Sequence, residues 1–155
     1  MDWKSLFFSA EGRIGRQSFW IGWLVLLGVN VVLGWIPFIG QLLSLVTIYC
    51  FVCIYSKRLH DMGKSGWLQA IPLVICFVLP IIGMFAFGGA ALVAGLSGAS
   101  EAAATTAVLG SLGGFFVLLF IAMIVGIGFL LWVGISDGET GDNRFGPPPS
   151  AIALA

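Results

Sequence analysis

An all-α integral membrane protein with four transmembrane helices, preceded by a short amphipathic N-terminal segment, is predicted by three observations. The 155-residue chain is 59% apolar and 9% charged, where soluble domains carry about a quarter of their residues as charges. Four long runs carry no charged side chain, and the seven Lys and Arg all fall in segments that a four-span topology brings to one membrane face. Seven acids and seven bases are too few to cover a water-soluble domain of this length, so lipid is the expected solvent for most of the chain. The formal net charge of zero, without a basic run, offers nothing to a nucleic acid.

The elements follow in order. Leu6 to Phe8 is too short an apolar stretch for a secretory signal, so no cleavable segment is expected. Residues 19–36 form the first span, since at about 1.5 Å per residue they match a hydrocarbon core of roughly 30 Å. Pro37 and Gly40 punctuate a tight hairpin into a second span over residues 41–56. A third span, residues 67–87, follows Gly63 and Gly66 and holds Pro80 near its middle, where a kink is expected. Residues 88–107 turn to Gly, Ala, Ser and Thr and read as a connecting loop, although an extension of the flanking helices stays open. Within it, Ser100 and Glu101 look like a helix start, because a hydroxyl cap and an early carboxylate suit free amides. The fourth span, residues 108–135, sets Gly110, Gly114, Ala122 and Gly126 at multiples of four, a small-residue ridge for helix packing that Leu118 interrupts. Residues 1–149 thus read as one four-span domain and residues 150–155 as a tail, with Pro147 to Pro149 imposing an extended approach to it.

Orientation rests on the bases. Lys4, Arg13 and Arg16 precede the first span, Lys57, Arg58 and Lys64 separate the second from the third, and Arg144 follows the fourth. The positive-inside rule makes that face cytoplasmic, and an even number of spans then puts both termini there. Trp3, Trp20, Trp35, Trp67 and Trp132 fall near span ends, as amphipathic rings at headgroup level should.

Three polar stretches share the basic face: Gly12 to Trp20 (GRIGRQSFW), Lys57 to Trp67 (KRLHDMGKSGW) and Gly141 to Pro149 (GDNRFGPPP). Their G-R-x-x-R-x-x-F-W, R-L-H-D-x-G-x-S-G-W and N-R-F-G-P patterns together resemble domain of unknown function 805, the YhaH/YhaI-like family of bacterial inner-membrane proteins. The resemblance runs over nearly the whole chain and implies a small, multi-pass protein of the bacterial inner (cytoplasmic) membrane. It brings no activity, substrate or catalytic residue with it. The segment of residues 88–107 departs from the family in looking longer than the usual outer connection.

The residues of that face admit several roles. Arg13 and Arg16, three apart, could grip a lipid phosphate with paired hydrogen bonds, or serve only as topology determinants. Lys57 and Arg58 suit the negative end of the second helix. His60 and Asp61 are the candidates for an acid/base pair, but neighbours on a helix do not face each other. A structural collar joining Arg13, Arg16, Arg58, His60, Asp61, Lys64, Asp142, Asn143 and Arg144 is the preferred reading, and no residue is assigned a catalytic role. Cys50, Cys53 and Cys76 lie in apolar runs and are expected to pack as small hydrophobes, forming neither a disulfide framework nor a metal site. Residues 137–143, rich in acids and glycine, lack the spacing of a calcium loop and read as a solvated turn. No cofactor is expected.

Function is framed by what the spans lack. Asn30, Gln41, Thr47, Gln69 and Ser111 are their main polar side chains, and none carries the charge that ion-coupled carriers place at mid-membrane depth. The expectation is therefore a non-enzymatic membrane module whose arginine-rich collar binds anionic phospholipid headgroups or a protein partner, with a homo-oligomer also possible. The alternatives are an oligomeric channel or lipid translocator, and an interface enzyme acting on headgroups through His60 and Asp61.

Overall fold

A computed structural model describes residues 2–98 and 100–149; the tail expected at residues 150–155 lies outside them. The elements among the described residues are helices: α1 (Trp3–Phe8), α2 (Arg16–Leu33), α3 (Ile39–Asp61), a 3-10 turn (Gly66–Gln69), α4 (Ala70–Leu96) and α5 (Glu101–Ile135). Four helical segments, Arg16–Leu33, Ile39–Asp61, Gly66–Leu96 and Glu101–Ile135, are long and apolar enough to cross a membrane, which supports a multi-pass membrane protein. Their outward side chains are large and apolar, as at Val32, Leu42, Phe85 and Phe116, a surface that water would penalise.

The boundaries differ from those expected of the uncharged runs, for a physical reason. Charge ends a lipid-facing run but does not end a helix, since Lys and Arg are good helix formers. Hence α3 continues past residue 56 through Lys57, Arg58 and His60 to Asp61, and α2 begins at Arg16. The largest correction concerns residues 88–96, expected in a connecting loop and helical in the structure. Residues 88–96 complete α4 and residues 101–107 open α5. Alanine, the best helix former, outweighs the scattered glycines, each of which costs only about 1 kcal/mol. The break falls where Gly98 takes a positive φ of 62°, and α5 starts where the Ser100 hydroxyl accepts from the Ala103 amide at 3.4 Å.

The chain folds as two compact units, one comprising Ala70–Leu130 and the other the residues on either side. In the first, α4 and the body of α5 pack through small residues. A Cβ on Gly83 would stand 2.8 Å from the Phe115 ring, and one on Gly126 would touch Cys76 Sγ at 3.4 Å. The Cys76 thiol donates to the Ala122 carbonyl at 3.3 Å. Pro80 lies inside α4 and the helix runs on through it.

The second unit holds the α2–α3 hairpin. Phe19, Gly22 and Leu26 fall on one face of α2 and are buried. Gly22 is the point of closest approach, where a Cβ would meet Ile54 of α3 at 3.1 Å and Leu6 of α1 at 3.2 Å. One turn beyond Leu26, Asn30 Oδ1 accepts from the Thr47 hydroxyl at 3.3 Å while its amide donates to the Leu26 carbonyl at 2.8 Å. That pair satisfies polar groups inside an otherwise apolar interface. The hairpin is tight: Gly40 N donates to the Ile36 carbonyl at 2.7 Å, and exposed Phe38 is held at a φ of 63°, a conformation that stores strain in a residue other than glycine.

Candidate functional site

Asp61, the last residue of α3, has a side chain that is 4% exposed and receives two arginines. Arg58, one turn earlier on the same face, donates through Nη1 to Asp61 Oδ2. Arg13 reaches across from the segment before α2 and donates to Oδ1 through Nε at 3.2 Å and Nη2 at 3.1 Å. Planar guanidinium groups suit this shared grip on one carboxylate. Buried charges need such pairing, because desolvation alone costs several kcal/mol per ion.

Further donors of both arginines go to backbone. Arg58, 0% exposed, donates through Nε to the Val133 carbonyl at 3.1 Å and through Nη2 to that of Ser136. These carbonyls lie at the C-terminal end of α5, whose own last turn contains no basic residue. A cation from α3 thus supplies the charge that a helix C-terminus favours. Arg13 donates through Nη1 to the carbonyls of Gly141, at 2.7 Å, and Gly146, at 3.2 Å, and through Nη2 to that of Glu139. The segment after α5 is therefore wrapped around Arg13, and its Glu139 amide donates to the Asp61 carbonyl at 2.8 Å. Among the described residues no buried side-chain nitrogen or oxygen lacks a hydrogen-bond partner.

Two glycines make this closure possible. A Cβ on Gly138 would collide with the Asp61 carboxylate, and one on Gly63 with that of Glu139, where Gly63 also holds a φ of 68°. Asn143 ties the turn further, donating through Nδ2 to the His60 carbonyl at 3.0 Å and to Glu139 Oε2 at 2.7 Å. Its Oδ1 accepts from the Phe145 amide at 2.9 Å.

His60 and Asp61 have separate partners. The imidazole stacks on the Phe145 ring, with centroids 3.8 Å apart and planes 7° from parallel, and its Nδ1 faces the Gly12 carbonyl at 3.2 Å. That contact is a hydrogen bond when the proton is on Nδ1. Of the remaining collar residues, Arg16 pairs with Asp137 in an exposed bridge, Lys64 Nζ sits 5.7 Å from the Trp132 ring centre, and Arg144 lies 4.7 Å from that of Phe145. Asp142 is exposed. The small-residue ridge divides: Ala122 and Gly126 face α4, whereas a Cβ added to Gly110 or Gly114 would meet nothing within 4 Å.

Reasoning from spacing missed the backbone half of the site. Val133, Ser136 and Glu139 contribute carbonyls, which no side-chain pattern reports, whereas residues 137–143 read from the sequence only as a solvated turn. It also missed the burial of Lys57, which is 2% exposed and donates to Ser5 of α1. The glycines at 63 and 138, each close to an acidic residue, were the available signal.

The family described as protein of unknown function (DUF805) matches residues 7–103, which hold Arg13, Arg58, His60 and Asp61 but not the C-terminal turn. The chain is 36% identical over 81 residues to the uncharacterized protein YiiR of Escherichia coli K12, and equally to YiiR of Escherichia coli O157:H7. That alignment covers 46% of this chain and 53% of YiiR, so the chain spans about half the length of the curated relatives it matches. No solved structure matches. With more than half of its residues inside the match, and both arginines and the aspartate of the clamp among them, the chain belongs to the DUF805 family.

Proposed function

We propose that this chain is a non-enzymatic module of a bacterial cytoplasmic membrane, crossing it four times with both ends in the cytoplasm. Its collar is a structural clamp, and its outward-facing bases meet anionic lipid headgroups. The division of the bases carries this reading. Arg13, Lys57 and Arg58 direct their donors into the chain itself, while Lys4, Arg16, Lys64 and Arg144 are exposed. Arg13 has its five N–H donors engaged within the chain, and Arg58 is 0% exposed, so neither reaches a phosphate at the surface. Arg16 opens one candidate span and Lys64 lies between two others, while Lys4 precedes and Arg144 follows the set; a base near an anionic membrane surface is attracted to it by about 1 kcal/mol.

Separate partners for His60 and Asp61 speak for packing over acid/base chemistry. Two measurements test the reading. With native cysteines replaced, a thiol introduced by Phe38→Cys should be labelled from outside intact cells and one at Asp142→Cys only after permeabilisation. Labelling of both from one side would overturn the topology. Replacing Lys4, Arg16, Lys64 and Arg144 together by Gln should strip copurified anionic lipid from a protein that stays folded; an unchanged lipid profile would refute headgroup binding.

A further inference from the structure

Beside α1 lies a cavity of about 210 Å³ whose walls include Asp2, Ser5, Glu11, Arg13, Ser18 and Lys57. Arg13 is spent on Asp61 and on backbone carbonyls, which leaves Lys57 as the cation with capacity for a ligand. Its ammonium donates to the Ser5 carbonyl and lies 3.4 Å from Ser5 Oγ. Among the described residues no carboxylate comes within 4.0 Å of it, although the residue is only 2% exposed. The Asp2 carboxylate attracts this buried ammonium only from beyond ion-pair distance, and an anion held in the adjoining cavity would lower the cost of its burial.

The rest of the lining narrows the ligand. Ser18 belongs to the first turn of α2, whose Gly15 cap makes no side-chain bond, so free amides and a hydroxyl favour an anion there. Asp2 and Glu11 line the same cavity and call for a positive group. One ammonium and two carboxylates around one space complement a zwitterion. The volume is below the roughly 300–1,000 Å³ of clefts that take drug-sized ligands, and suits a headgroup.

We propose that this cavity binds a phosphate ester with a short primary-ammonium arm, phosphoethanolamine, with its phosphate at Lys57, Ser5 and Ser18 and its ammonium at Asp2 and Glu11. The assignment rests on the membrane reading above for its source, a phosphatidylethanolamine headgroup, because Ser18 and Lys57 lie at the polar ends of two candidate spans. A choline headgroup offers no N–H donors to the two carboxylates, and a glycerol headgroup no positive charge.

Native mass spectrometry of the full chain in detergent tests it, with dioleoyl phosphatidylethanolamine, phosphatidylcholine and phosphatidylglycerol added separately. Retention of the ethanolamine lipid should exceed that of the choline lipid about tenfold, the worth of one charge-assisted hydrogen bond. Lys57→Met should lower it about as much. Because Lys57→Met also removes a contact to α1, the pair Asp2→Asn with Glu11→Gln serves as the fold-safe variant, since Asp2 caps α1 by accepting from the Lys4 amide at 3.1 Å and Asn caps a helix in the same way. It should abolish the ethanolamine preference at unchanged Tm. Equal retention of all three lipids, or a preference for phosphatidylglycerol, would overturn the proposal, as would competition by inorganic phosphate equal to that by phosphoethanolamine. Binding of free phosphoethanolamine without the lipid would uphold the chemistry and assign a soluble source. Thiol labelling at residue 38 reads the topology separately, so failure of the membrane reading and failure of the cavity are distinguishable.

Discussion

Arg58 Nε stands 3.1 Å from the Val133 carbonyl oxygen, so a residue of α3 caps the C-terminal end of α5 across 75 positions of sequence. The same side chain pairs with Asp61, which in turn holds Arg13. Three chain segments are thereby closed around one carboxylate.

Removing Arg58 should be among the most damaging single changes outside the apolar interfaces. Arg58→Met leaves Asp61 with one partner and uncaps α5, at a cost of roughly 3–5 kcal/mol for breaking a buried pair. Arg58→Lys should recover only part of it, because an ammonium cannot reach a carboxylate and two carbonyls in one plane. Thermal unfolding of the detergent-purified chain, followed by circular dichroism, reads both. A Tm for Arg58→Met within about a degree of wild type would contradict the clamp.

Arg13 and Asp61 should be energetically coupled. In a cycle of Arg13→Gln, Asp61→Asn and the double variant, an interaction energy of about 1–3 kcal/mol is expected for residues in one network. Additive losses would mean that the 3.1 Å bridge contributes only shape.

Gly138 and Gly141 sit three residues apart in the same turn and should respond differently. A methyl at 138 strikes the Asp61 carboxylate, whereas one at 141 meets nothing within 4 Å. Gly138→Ala is expected to cost about 1–3 kcal/mol by overpacking, and Gly141→Ala less than about 0.5 kcal/mol. Chemical unfolding of the two variants side by side decides it.

Small residues of the apolar helices should divide in the same way. Gly83→Val drives a side chain into Phe115 and should lower stability by about 1–3 kcal/mol, while Gly110→Val enters open space and should leave the monomer unchanged. Equal effects at both positions, measured by the loss of helical signal on heating, would show that Gly83 is not a packing point.

Hydropathy and charge alone determined the number of long apolar helices, their order and the grouping of the bases, because each is a sum over many residues and tolerates error at any one. The same information placed a helix start at Ser100 and Glu101 but misread residues 88–96 as loop, since composition reports polarity while alanine's helix preference acts through the backbone. Arg13, Arg58 and Asp61 were legible as members of one charged collar, but the backbone carbonyls that take the arginines' further donors were not. Only the tertiary structure decided that Arg13 and Arg58 face inward while Arg16, Lys64 and Arg144 remain exposed. A hydrogen bond to a carbonyl depends on where the backbone of a distant segment passes, and every residue type carries that carbonyl alike.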